Sequence, residues 1–238
     1  MPVYNGESYI DQSIDIISSV LKYYNISFEI IIVDDGSSDS TRLKASEVAS
    51  KNNNVKIVGY NRNKGKGYAF IYGYKHCHGN IIVLMDADLD IPAQQIPIML
   101  AIMRKTKADI VITNKWHPLS KTYASPLRRF LSKSYNSLVR LLTGLNLSDT
   151  QTGAKAFKRY VLDKVIPELH VKRFAFDVEL LHLAKKHGFK IAEAPSLKPI
   201  RLKSSFKIGE IFNMILETLH IVYRHCLLYT SPSPRDRG

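Results

Sequence analysis

Ile81-Ile82-Val83-Leu84-Met85-Asp86-Ala87-Asp88 sets five consecutive apolar residues against two carboxylates spaced one residue apart. A short apolar run bounded by Gly79-Asn80 and by acids reads as a strand buried on both faces. Open α/β sheets bind ligands in the crevice beyond the carboxyl ends of their strands, where this run delivers Asp86 and Asp88. Two neighbouring carboxylates there call for a counter-charge, such as a divalent cation with open positions for phosphate oxygens, or else serve as turn and cap residues.

The same pattern recurs outward in both directions. Phe28-Glu29-Ile30-Ile31-Ile32-Val33 is a second buried run, closed by Asp34-Asp35-Gly36-Ser37-Ser38-Asp39. Further strands are predicted over 55–58 and 109–113, and helices over 8–24, 42–50, 68–77, 92–105, 127–142 and 174–186. Residues 116–126, polar and broken by prolines, read as a loop. Strands alternating with helices at short intervals predict an α/β fold, a mostly parallel sheet flanked by helices. Ile208, Ile211, Phe212, Ile215, Leu219 and Val222 share one face of a last, amphipathic helix, preceded by basic Lys198, Arg201, Lys203 and Lys207. That helix either docks on the core or lies in a membrane interface.

With 238 residues, 45% of them apolar, the chain can bury the core of one large domain. Lys and Arg outnumber Asp and Glu by 34 to 21, for a net charge of +13 that favours a polyanionic partner. No nucleic-acid-binding motif is present, and the basic residues gather near the expected crevice, so nucleic acid is not the expected partner. Cys77 and Cys226 lie far apart, without disulfide-framework or zinc-site spacing, as in a reducing compartment. No run approaches the ~18 apolar residues of a membrane span, and Met1-Pro2-Val3-Tyr4-Asn5 reads as the end of a strand whose beginning is missing. Residues 226–238 lack any packable periodicity and are expected to be disordered and foreign to the natural frame. The expected organisation is therefore a main α/β domain over 1–195, a basic segment and helix over 196–225, and that tail.

Asp35 is placed to accept from a nucleobase or ribose hydroxyl, or to cap the following helix. Asn61-Arg62-Asn63-Lys64-Gly65-Lys66-Gly67 fits neither a Walker A loop nor Gly-x-Gly-x-x-Gly, yet leads into a helix N-terminus suited to an anion. Pro2-Val3-Tyr4-Asn5, Val33-Asp34-Asp35-Gly36-Ser37-Ser38-Asp39, Asn63-Lys64-Gly65-Lys66-Gly67 and Asp86-Ala87-Asp88, in this order, resemble family 2 glycosyltransferases of the GT-A fold. Asp149-Thr150-Gln151-Thr152-Gly153-Ala154-Lys155 and Phe174-Ala175-Phe176-Asp177-Val178-Glu179-Leu180-Leu181 narrow the resemblance to dolichyl-phosphate mannose and dolichyl-phosphate glucose synthases.

The resemblance implies transfer of a hexose from a nucleotide sugar, GDP-mannose or UDP-glucose, to a polyprenyl (dolichyl) phosphate, at the cytoplasmic face of a membrane and with peripheral attachment. Pro2, Tyr4, Glu7 and Asp35 would line the nucleoside pocket, with Lys64 nearby. Asp86 and Asp88 would hold Mg²⁺ or Mn²⁺ against the donor diphosphate. Asp90 stands where mannose synthases commonly carry Gln, and would be a third ligand or a cap for the next helix. Arg128 or Arg129, with Ser132, Asn136 and Lys115, would bind the acceptor phosphate. Arg201 and Lys207 would lie near the donor pyrophosphate. A phosphate acceptor is already anionic at neutral pH, its second pKa being about 6, so a strong base is unnecessary. Asp149 and Asp177 are the candidates should one act, or else they orient the acceptor loop or pair with nearby cations. Attack opposite the leaving group would invert the anomeric centre. A family 2 transferase acting on a glycan or protein hydroxyl would share the donor blocks.

Overall fold

The computed structural model describes residues 1–120, 122–123, 125–171, 173, 175–197, 200–201 and 208–227, and the side chains of all of these but 122–123, 128, 200–201, 208–212 and 226–227. Lys207 and the 228–238 tail thus lie outside the described residues, as do the side chains of Arg128 and Arg201.

In chain order the elements are β1 (Pro2–Val3), α1 (Ile10–Tyr23), β2 (Ile30–Asp35), α2 (Thr41–Lys51), β3 (Val55–Tyr60), α3 (Lys66–Tyr74) and β4 (Ile81–Met85). They continue with α4 (Gln95–Thr106), β5 (Ile110–Asn114), β6 (Thr122–Tyr123), α5 (Pro126–Thr143), β7 (Ala154–Lys158), α6 (Arg159–Val165) and α7 (Phe176–Lys186). β8 (Ile191–Pro195), β9 (Ile200–Arg201) and α8 (Ile208–Val222) follow, and α8 runs on into a π-helical turn, Tyr223–Leu227.

β1, β2 and β3 pair in parallel in that order, and a second sheet runs β4-β7-β5-β8. β5 and β8 are parallel, while β7 lies antiparallel to both β4 and β5. Alternation along each strand feeds two apolar layers. Ile82, Leu84, Ile110 and Ile112 face the layer under α3, α5, α6, α7 and α8, whereas Met85 and Val111 face the layer under α1 and α4. Phe70 of α3 anchors the first layer, its ring 5.4 Å from Phe176 and 5.9 Å from Phe157. Burying one such ring is worth about 2–3 kcal/mol.

The α/β expectation holds, with one antiparallel strand inserted. β7 and β8 were not anticipated. α3 begins at Lys66 rather than near Tyr68, and α4 at Gln95, because Pro92 opens a turn closed by the Gln95 N–H on the Pro92 carbonyl at 2.9 Å. α8 is amphipathic and packs on the core through Met214, Thr218 and Ile221, with the Tyr135 and Thr218 hydroxyls 3.0 Å apart. Ile215 packs against the same core, whereas Leu219, on the expected apolar face, is exposed.

Candidate active site

A cleft of about 340 Å³ opens at the carboxyl ends of β1, β2 and β4, where the two sheets meet. Pro2, Tyr4, Asp35, Asp86 and Asp88 line it, together with Tyr9, Asn63, Gly65, Lys66 and Arg173. Five of the expected site residues therefore converge on one cavity.

Asp86 leaves β4 with its N–H bonded to the Gly153 carbonyl at 2.9 Å. A β-carbon at Gly153 would come within 2.9 Å of Asp86 Cγ and closer still to Oδ2, so only glycine leaves that carboxylate its place. Lys66 Nζ sits 2.6 Å from Asp86 Oδ1. Burial works against the Lys66 charge, but Asp86, with Asp177 and Asp88 behind it, outweighs that and holds the ammonium above its ordinary range. Asp88 is pushed up by desolvation and by the charges of Asp90 and Asp86, against the hydrogen bond its Oδ1 accepts from the Asp90 N–H at 3.2 Å. Asp90 itself is exposed and is not part of the cleft lining.

Asp35 is buried, and its carboxylate accepts four hydrogen bonds. Tyr60 Oη and the Lys64 N–H donate to Oδ1 at 2.7 and 2.8 Å, and Asn63 Nδ2 and the Gly65 N–H to Oδ2 at 3.0 Å each. A carboxylate has about four acceptor positions, so Asp35 builds the 61–67 loop with its full capacity. Lys64 Nζ lies over the Tyr60 and Tyr68 rings, 5.1 and 4.4 Å from their centroids, outside the cleft lining. Gly65, at φ +96°, turns the backbone so that Lys66 enters the cleft instead. Glu7 also lies outside it, accepting the Ser40 N–H on Oε2 at 2.8 Å ahead of α2.

Behind the cleft floor, β7 carries Lys155, fully buried and bonded through Nζ to Asp177 Oδ1 at 2.8 Å and to the Thr152 carbonyl at 2.6 Å. Burial pushes this ammonium down and Asp177 pulls it back up. Asp149, also buried, accepts the Gln151 N–H on Oδ1 at 3.3 Å and pairs through Oδ2 with Lys115 Nζ at 3.4 Å. On α5, Ser132 accepts from Trp116 Nε1 at 3.3 Å, the Arg129 guanidinium lies 5.8 Å from the Trp116 ring centroid, and Asn136 is buried. Lys66, Arg173, Tyr9 and Trp116 were not anticipated. Trp116, the single tryptophan, follows a predicted strand and could have been singled out.

A sheet whose strand ends deliver paired acids and a basic loop to one cleft is the framework of a nucleotide-sugar transferase, and comparison with known proteins agrees. Residues 1–166 match the Glycosyl transferase family 2 model, and the chain belongs to that family. It is 28% identical over 251 residues to the dolichyl-phosphate beta-glucosyltransferase ALG5C of Trichomonas vaginalis, covering 99% of this chain and 74% of that protein. It is 32% identical to the dolichyl-phosphate beta-glucosyltransferase of Dictyostelium discoideum, over 81% of this chain and 63% of that one. Glucosyl-3-phosphoglycerate synthase from Mycobacterium tuberculosis, solved with Mn²⁺, UDP and phosphoglyceric acid, superposes with a TM-score of 0.72 at 19% identity, over 98% of this chain and 78% of that one. The fold is that of the GT-A enzymes, and the resemblance to dolichyl-phosphate sugar synthases holds.

The cleft residues fit a hard divalent cation. Asp86 and Asp88 offer carboxylate oxygens only, the donor set that suits Mg²⁺ or Mn²⁺. The absent β-carbon of Gly153 keeps Asp86 Oδ2 uncovered on that side.

Proposed function

We propose that the chain transfers glucose from UDP-glucose to a dolichyl-type polyprenyl phosphate, with inversion and with Mg²⁺ or Mn²⁺ held by Asp86 and Asp88. The observation that carries this reading is the convergence of Asp86, Asp88, Lys66 and Arg173 on one cleft, opposite charges disposed around a space for a diphosphate. The relatives' names favour glucose over mannose and dolichyl phosphate over a hydroxyl acceptor.

Asp86 and Asp88 would hold the divalent cation, which would supply charge neutralisation for the departing nucleoside diphosphate. Lys66 and Arg173 add positive charge to the lining of the cleft, which favours the developing UDP anion. Pro2, Val3 and Tyr4 offer one wall for the uracil and ribose, and the 61–67 loop, which Asp35 keeps in shape, brings Asn63 and Gly65 to the same cleft. The acceptor phosphate would approach from α5, which carries Arg128, Arg129, Ser132 and Asn136; Arg129 and Ser132 contact Trp116, and Lys115 precedes it in the chain. Its anionic oxygen needs no proton removed. Both candidate carboxylates face a lysine: Asp149 Oδ2, 3.4 Å from Lys115 Nζ, suits holding that ammonium toward the acceptor phosphate, whereas Asp177 is committed to the buried Lys155. Leu127 and Phe130, exposed on α5 beside Arg128 and Arg129, suit a lipid surface that presents the acceptor. In cells this would be a cytoplasmic membrane face.

The test is a transfer assay in detergent with labelled UDP-glucose or GDP-mannose as donor, offered a polyprenyl phosphate or a soluble glycan as acceptor. Label should pass from UDP-glucose to lipid only when Mg²⁺ or Mn²⁺ is present, and Asp88→Ala should lower turnover at least ~100-fold with the circular dichroism unchanged. Label arriving on a soluble glycan, or metal-independent transfer, would overturn the reading.

A further inference from the structure

Away from the cleft, His170, Glu179 and His225 bring three metal-ligating atoms within 4.8 Å of one another. Glu179 stands on α7, its side chain fully buried. Its Oε2 accepts the backbone N–H groups of His170 at 2.9 Å and Val171 at 2.7 Å, which fixes the carboxylate and turns Oε1 toward the imidazoles. His225 Nε2 lies 2.8 Å from that oxygen and His170 Nδ1 3.8 Å. His225 occupies the π-helical turn Tyr223–Leu227, and such turns are rare and concentrate at functional positions. A third imidazole, His182, has its ring centroid 6.0 Å from that of His225, and its buried Nδ1 has no hydrogen-bond partner among the described residues.

We propose that His170, Glu179 and His225 form a second cation site, for a zinc-class transition metal, distinct from the Asp86–Asp88 cleft. Two imidazole nitrogens and one carboxylate oxygen are the donor set that zinc takes and that magnesium does not. Tetrahedral zinc with bonds of about 2.1 Å separates its ligand atoms by about 3.4 Å, and the two measured edges straddle that value. The two N–H groups on Glu179 Oε2 supply the outer hydrogen bonds that orient a ligating carboxylate. A cavity of about 450 Å³, lined by His170 and Glu179, leaves room for a fourth, solvent-derived ligand. Binding would use the lone pair of His225 Nε2, so any hydrogen in the contact between Nε2 and Glu179 Oε1 would have to leave or move to Nδ1.

The ion would tie the turn after α8 to α7 and to the segment bearing His170. Three residues beyond His170, Arg173 lines the donor cleft, so the clamp would also fix a wall of the active site.

The experiment is a titration of the whole, EDTA-treated chain with Co²⁺ as the spectroscopic probe, in excess Mg²⁺ to fill the carboxylate cleft. Tetrahedral Co²⁺ with nitrogen ligands absorbs strongly in the visible, unlike Co²⁺ in an octahedral oxygen site. One equivalent should produce that band, Zn²⁺ should abolish it, and Asp88→Asn should leave it intact. His170 is half exposed, so His170→Ala is a mild change for folding, and it should weaken Co²⁺ binding by about tenfold or more. His225→Gln should remove the band. No band, a band indifferent to His170→Ala, or one lost with Asp88→Asn would overturn the proposal, leaving a plain His225–Glu179 hydrogen bond.

Discussion

Gly153 brings no functional group to the cleft, yet its missing side chain decides where Asp86 sits. A methyl group there would crowd Asp86 Cγ and Oδ2, and the carboxylate would have to swing away, since the strand backbone at Gly153 is held by the Asp86 N–H. Gly153→Ala should therefore reduce Mn²⁺-dependent UDP-glucose affinity by about tenfold or more, read by calorimetry, with the circular dichroism spectrum unchanged. Unaltered affinity would mean that the carboxylate does not hold the cation. Lys66 makes a sharper probe, because it occupies the Asp86 oxygen that a cation would also seek. Lys66→Met should strengthen Mn²⁺ binding to the nucleotide-free protein several-fold while kcat falls by roughly 10²-fold, the usual loss on removing one charge-stabilising donor. A parallel fall in both would make Lys66 a scaffold residue only. The place of Asp86 and Asp88 at the cleft was legible because they directly follow a buried apolar run, at the carboxyl end of its strand, although the motif alone left a turn or cap role open. Lys64 and Lys66 were not separable on sequence, for their assignment depends on the positive φ at Gly65 between them.

At the scale of elements, β7 escaped sequence reading because its burial depends on a compensated charge. Ala154-Lys155-Ala156-Phe157-Lys158 alternates like a half-exposed strand, but β7 is flanked on both edges and Lys155 is fully enclosed. Such a lysine is tolerable only because Asp177, in the first turn of α7, faces it. The motif containing Asp177 thus has a structural duty that can be separated from catalysis. Asp177→Asn leaves the buried ammonium without its counter-ion and should destabilise the chain by about 3–5 kcal/mol in urea unfolding. If stability holds while turnover collapses, Asp177 acts on the substrate instead. The long helices were the easiest elements to read: of the apolar residues at helical spacing in α1 (Ile10, Ile14, Ile17, Val20, Leu21), all but the half-buried Val20 are buried, beside Ser13 and Ser18.

Across the whole molecule, the +13 charge and the exposed apolar residues have to be explained together. The inward face of α8 is spent on the core through Met214, Thr218 and Ile221, which leaves Leu216 and Leu219 outside at 44% and 45% exposure. On α5, Leu127 and Phe130 are each 67% exposed and stand beside Arg128 and Arg129, next to the expected acceptor site. No helix among the described residues is long and apolar enough to cross a membrane. Attachment through this part of the chain would therefore rest on surface contact, with basic residues drawing it to anionic headgroups and a few rings entering the interface. Sequence periodicity could find both helices but not which face each would spend on the core, since that choice depends on how α5 and α8 pack against one another. Inserting one phenylalanine is worth about 1.5–3 kcal/mol. Phe130→Glu should then cut partitioning onto phosphatidylserine-containing vesicles about tenfold or more in a sedimentation assay, and binding of both proteins should weaken as salt shortens the electrostatic reach. Turnover on a short-chain polyprenyl phosphate presented below its micelle concentration should be nearly unchanged in the variant, because that substrate needs no membrane to reach the cleft. Equal partitioning of variant and parent would move the contact from α5 to the exposed leucines of α8.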